Sequence, residues 1–301
     1  MSSREPLPSE LSSTPFTIRD AAGLAPTSRL RGRDLNREVY GTRIATQSLT
    51  FEQRCQLFQR RMPAAFVTHA SAARLWGLPL PWQLENQVVV GVSKPHPQRA
   101  PHANGIRGHS LLIEAREIRV LPSGVRVTSP ARTWHDLASV LEVPDLVAVA
   151  DHILHWRSPI GTRAALAAML EASTTRRGSA RLREAIALSS DRSESPQESR
   201  LRVLLHRAGF PAPRVNHVVE DRFGEFVART DLLFDEYDFV LEYMGDYHRT
   251  TKGQWRADMS RRSRLESRGR GVMEINSEDL LDAEELSQRI RARVAIHMSR
   301  S

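Results

Sequence analysis

Between Phe226 and His248 the chain reads as two apolar strands joined by a tight turn, each carrying one acid. The strands are Phe226–Phe234 and Phe239–Met244, the turn is Asp235-Glu236, and the acids are Asp231 and Glu242. Successive strand residues face opposite sides of a sheet, so an acid in such a run sits beside apolar neighbours. A carboxylate there is tolerable only with a metal, a cation or solvent beside it. The short turn makes the strands neighbours, so the two acids can meet at one edge of the sheet.

The flanking elements extend this core. Ser195-Pro-Gln-Glu198 is a helix start, with Ser195 as cap, Pro196 in the first turn and Glu198 at the third position. That helix runs through Leu201, Leu204, Leu205 and Ala208, and Gly209 stops it. Val215–Val219 precedes the Gly224 turn as a further strand. Thr250 or Thr251 is expected to cap a basic helix from Gln254 to Ser267, closed by Gly269. Gly271–Ile275 then reads as a fourth strand and Glu284–Ile296 as a last helix. The predicted order is α-β-β-β-α-β-α.

Upstream, residues 1–15 are Pro/Ser-rich and lack the apolar core of a secretory signal, so they read as a disordered lead. Residues 16–45 suggest a winged helix-turn-helix: a short helix over Thr17–Ala25, a turn, a basic stretch from Arg29 to Leu35, then a wing at Val39–Ile44. A packing hairpin is the competing reading. Residues 46–190 read as α+β, with short strands at Gln87–Ser93, Gly105–His109, Glu117–Leu121 and Val125–Val127. Helices are expected at Phe51–Arg61, within Thr68–Pro81, from Ser129, and around Pro144–Trp156, Thr162–Leu170 and Ser179–Leu188. His69 reads as a structural histidine at a helix start, and His96, His102 and His109 lack metal-ligand spacing. The polar link Ser189–Ser195 places the expected boundary between regions 16–190 and 191–301.

The formal net charge is +8, and all but two of the 43 Lys and Arg residues are arginine. A GC-rich genome explains the arginine bias as well as phosphate recognition does, but the net charge still favours a polyanionic partner. From Asp191 onward there are 19 basic and 20 acidic residues, so the positive surplus lies before it. The single cysteine, Cys55, excludes an internal disulfide and a cysteine-based zinc site. No apolar run approaches the roughly 18 residues of a membrane span, so the expected compartment is the cytoplasm.

Four motifs stand in order: Ser195-Pro-Gln-Glu-Ser-Arg-Leu201, Phe226-Val-Ala-Arg-Thr-Asp231, Val240-Leu-Glu-Tyr-Met-Gly-Asp-Tyr-His248 and Gln254-Trp-Arg-Ala-Asp258. Over about residues 193–298 they resemble the PD-(D/E)xK (restriction-endonuclease-like) superfamily, and more narrowly the uncharacterised bacterial domain related to very-short-patch repair endonucleases. Thr68–Pro79 and Val127–Thr133 resemble AbiEi-type antitoxin-like proteins, which carry a winged helix. The expected class is therefore α/β, an N-terminal winged-helix-like and α+β region followed by a restriction-endonuclease-like domain.

The resemblance implies phosphodiester hydrolysis with Mg2+ or Mn2+. It implies Asp231 as a direct metal ligand, Glu242 as the second acid, and Glu198 acting through water or a second metal. His248 would serve as general base or phosphate contact, its ordinary pKa of roughly 6.5 suiting either role. Each has a plainer alternative: a capping box for Glu198, or an ion pair of Glu242 with Arg229 or Arg249. Arg256, Arg261, Arg264 and Arg268 on the basic helix, with Arg29, Arg31 and Arg33 in the N-terminal part, are the expected DNA contacts. One departure matters: the superfamily pattern calls for lysine at position 244, relatives of the narrower domain usually have aspartate, and this chain has Met244. A thioether neither orients a water as an amine does nor binds magnesium well. Two readings stand: a Mg-dependent DNA endonuclease, or a DNA-binding regulator that has lost its chemistry, with DNA as partner and a toxin or repair protein as a second one.

Overall fold

The computed structural model describes residues 6–12, 14–45, 48–172, 178–221, 223–245 and 262–300. It is an α/β protein whose chain divides into two compact units, Met1–Leu137 and Ala138–Ser301.

In the N-terminal unit, a helical turn α1 (Ser9–Ser12) lies within the lead expected to be disordered. Leu11 is buried there with Phe16, Ala21, Leu30 and Leu35. Strands β1 (Phe16–Thr17) and β2 (Thr42–Arg43) pair antiparallel. No α-helix forms between them; Arg29–Arg31 is a single 3-10 turn. This corrects the helix-turn-helix expectation for residues 16–45. The reason is local: Thr17 N–H donates to the Asp20 carboxylate at 2.8 Å, and Asp20 N–H donates to the Thr17 hydroxyl at 3.0 Å. Such side-chain bonds start a turn, and Gly23 at φ +81° followed by Pro26 ends it before a helix can propagate.

The rest of this unit is a mixed sheet with helices on it. Helix α2 (Phe51–Arg61) starts at a Thr50/Gln53 capping box. Strand β3 (Phe66–Val67), helix α3 (His69–Trp76) and the one-turn α4 (Trp82–Glu85) follow. Next come β4 (Val90–Pro95), β5 (Ile106–Leu111), β6 (Ile118–Val120), β7 (Arg126–Thr128) and α5 (Pro130–Leu137). The strand order is β5-β4-β3-β7-β6. Cys55, Leu57 and Phe58 of α2 pack on Val67, Val92 and Val127. Burial pushes the Cys55 thiol up to about 12, so it is a packing group and not a nucleophile.

The C-terminal unit begins with three helices, α6 (Val143–Leu154), α7 (Arg163–Ala172) and α8 (Ser179–Leu188). Helix α9 (Pro196–Arg207) leads into β8 (Arg214–Glu220), β9 (Phe226–Phe234) and β10 (Phe239–Tyr243). Residues 262–266 are helical, followed by β11 (Gly271–Ile275) and α10 (Ala283–Met298). From α9 onward the described elements follow the predicted order. The sheet runs β11-β10-β9-β8, with β10 and β11 parallel and the other pairs antiparallel. One face, with Leu232, Phe234, Phe239, Leu241 and Ile275, packs against α9 and α10. The opposite face carries Val227, Leu233, Val240 and Val272, covered by Leu265.

This division differs from the expected boundary at 190/191. Helix α6 is bound to α9: Arg200 pairs with Asp145 at 2.8 Å, and Asp151 pairs with Arg202 and accepts from the Ser199 hydroxyl at 2.7 Å. The supposed linker takes part, because Ser190 N–H donates to Asp151 at 2.6 Å and Ser193 is buried. Its polar side chains and amides serve a buried carboxylate instead of solvent.

Candidate acidic site

Glu198 occupies the first turn of α9, beside its cap. The Ser195 hydroxyl accepts from Glu198 N–H at 3.2 Å. The Glu198 carboxylate does not close the reciprocal capping box; its Oε2 accepts instead from Glu194 N–H at 3.0 Å and from Asn216 Nδ2 at 2.7 Å. Only 6% of the residue is exposed. Burial, with the negative charge of Asp231 as second cause, pushes the carboxyl up to about 7. Like charge raises a carboxylate pKa only when the two groups are near, so α9 brings Glu198 into the electrostatic range of β9.

Asp231 lies mid-strand in β9 and is half-buried. The ladder with β10 ends at Leu232↔Leu241, and beyond it the Asp231 Oδ2 accepts from Tyr243 N–H at 2.7 Å. The carboxylate thus takes a main-chain donor where the strands part. Glu242 precedes Tyr243 on β10 and is 4% exposed. By strand alternation Asp231 shares the face of Leu233, and Glu242 shares the face of Val240, which is one and the same face. The parallel register sets Glu242 beside Glu274, whose charge meets Arg262 at 3.2 Å. Met244 continues this row, its N–H bonded to Ile275 C=O at 2.7 Å.

The structure therefore brings Asp231 and Glu242 to one sheet face and Glu198 within the reach of Asp231's charge. Arg229, one of the two expected ion-pair partners of Glu242, pairs with Glu194 at 2.5 Å, and the other, Arg249, lies outside the described residues. His248, Arg256 and Arg261 lie outside the described residues. Arg264 is exposed, whereas Arg268 stands 3.6 Å from Asp221. In the N-terminal unit Arg31 and Arg33 are exposed, but Arg29 grips Asp34 with both terminal guanidinium nitrogens, at 3.2 and 2.7 Å. Arg29 thus holds a local turn. His69 is a structural histidine: it stacks on His109 at 4.2 Å, its Nδ1 lies 3.0 Å from the Thr68 hydroxyl, and burial lowers its pKa to about 4.

Sequence reasoning missed Asn216. It stands at φ +46° within β8, a left-handed conformation uncommon for a non-glycine residue. Its amide donates both to Glu198 and to Arg192 C=O at 2.9 Å. A lone asparagine in a strand carries no signal for such a role; only its left-handed backbone conformation reveals it.

Among the described residues no three His, Cys, Asp or Glu side chains are already arranged to hold an ion. The donor set still suits a hard cation, which takes one or two carboxylates and completes its shell with water and phosphate oxygens. Burial raises the Glu198 carboxyl most, and the smaller contribution from the Asp231 charge is the part that a cation would relieve. No helix among the described residues is long and apolar enough to cross a membrane.

No family profile and no solved structure matches the chain. Its curated relatives include two uncharacterized proteins of Mycobacterium tuberculosis, MT2308 and Rv2248, from different strains. Each is 27% identical over 231 residues, covering 77% of this chain and 80% of the relative.

Proposed function

We propose that this protein acts on DNA through its C-terminal unit, as a divalent-cation-dependent phosphodiester hydrolase with a nuclease-like arrangement of acids. The observation that supports it is the placement of Asp231 and Glu242 on one face of two adjacent strands, with Glu198 near enough to feel the Asp231 charge. Asp231 and Glu242 are the residues that would hold Mg2+ or Mn2+, with Glu198 in the same electrostatic field. A bound divalent cation would neutralise charge on the scissile phosphate and lower the pKa of a water. The chain's own part is to fix the donors. Tyr243 N–H orients the Asp231 carboxylate, Asn216 and Glu194 orient Glu198, and burial keeps Glu242 off bulk water.

Met244 favours a second reading, in which the unit binds DNA without cutting it. The residue follows Glu242 on the same strand face and supplies no amine or carboxylate there. The test is incubation of plasmid and short duplex DNA with Mg2+ or Mn2+. The hydrolase reading expects cleavage that Asp231→Ala abolishes. DNA binding without cleavage under either ion supports the second reading, and neither binding nor cleavage contradicts both.

A further inference from the structure

Just beyond the end of α6, Trp156 keeps 41% of its surface exposed. Two guanidiniums lie over its ring, Arg157 at 4.5 Å and Arg192 at 5.0 Å from the centroid. The arginines come from different segments, held together where Trp156 N–H donates to Asp191 C=O at 3.0 Å. Among the described residues no carboxylate pairs with Arg192. Arg157 meets Glu194 only at 3.9 Å, and its side chain is 57% exposed.

This cluster borders the acids on two sides. The Asn216 amide that donates to Glu198 also donates to Arg192 C=O. Glu194, the partner of Arg157, pairs through its other oxygen with Arg229, two residues before Asp231 on β9. Stacking on the indole restricts the motion of two guanidiniums whose residues stay exposed to solvent, an arrangement that suits phosphate oxygens. Preorganising such groups removes part of the ordering cost of binding.

We propose that Trp156, Arg157 and Arg192 form a phosphate clamp that grips the backbone of a DNA duplex beside the acidic site. The proposal rests on the DNA-acting reading above. It differs from the expected contacts on the basic helix, since all three residues lie upstream of the nuclease-like elements.

The experiment is fluorescence anisotropy of a labelled mixed-sequence duplex with the full chain across a salt series, in an Asp231→Asn background that prevents cleavage. Arg157→Ala and Arg192→Ala are each expected to reduce the slope of log K against log salt by about one. Trp156→Ala is expected to weaken binding by about fivefold by releasing both arginines. Circular dichroism checks that these exposed substitutions keep the fold. If the parent binds the duplex and all three variants match it in affinity and slope, the clamp is wrong and the DNA reading stands. If the parent does not bind, the DNA reading falls and the clamp with it.

Discussion

In the N-terminal unit Glu117 and Asp136 are buried on either side of one guanidinium, whereas in the C-terminal unit Glu198 is buried facing the charge of another acid. Arg132 donates to Asp136 at 2.8 Å, to Glu117 at 2.9 Å and to Leu112 C=O at 2.8 Å. Burial would raise the Asp136 carboxyl, but the His135 hydrogen bond and the Arg132 charge hold it below its usual value. Glu198 is as deeply buried and moves the other way, up to about 7. The same desolvation thus yields a fixed structural anion in one unit and a carboxyl poised to change charge in the other. Perturbed groups of the second kind gather at functional sites, and charge-matched clusters of the first kind maintain a core.

The largest effect is expected of Arg132→Met. It strands two buried carboxylates, and the expected loss is about 3–5 kcal/mol in a denaturant titration near neutral pH. An unchanged midpoint and slope would show that Arg132 does not balance the cluster. A somewhat smaller effect is expected at Glu198, and its sign is opposite to that of an ordinary salt-bridged acid. A carboxyl raised from 4.5 to about 7 in the folded state holds a proton that the unfolded chain has lost. Stability is therefore greatest below the unfolded pKa and falls as pH rises through the folded one, by about 3 kcal/mol in all. Glu198→Gln should flatten this contribution between those two values, as read by urea unfolding at a series of pH values. Equal pH dependence in the variant and the parent would place the titrating group elsewhere.

Legibility in the sequence followed the range of the interactions. The strands around Asp231 and Glu242 were readable because apolar alternation and the Asp235–Asp238 turn are local. Ser195 and Pro196 marked the start of α9 for the same reason, and Gly209 at φ +78° follows its end. The segment 189–195 misled because its polar residues answer Asp151, about 40 positions away, a partner that composition cannot reveal. Residues 17–25 misled because the Thr17–Asp20 exchange competes with a helix over a few residues. Asn216 was invisible because its role depends on a backbone conformation that nothing in its neighbours requires.

Calorimetric titration of the full chain with Mn2+ reads out the proposed cation site of Asp231 and Glu242 beside Glu198. Saturable binding is expected, weakened at least about tenfold by Asp231→Asn, a loss of roughly 1.4 kcal/mol. Absence of binding, or equal binding by the variant, would contradict it.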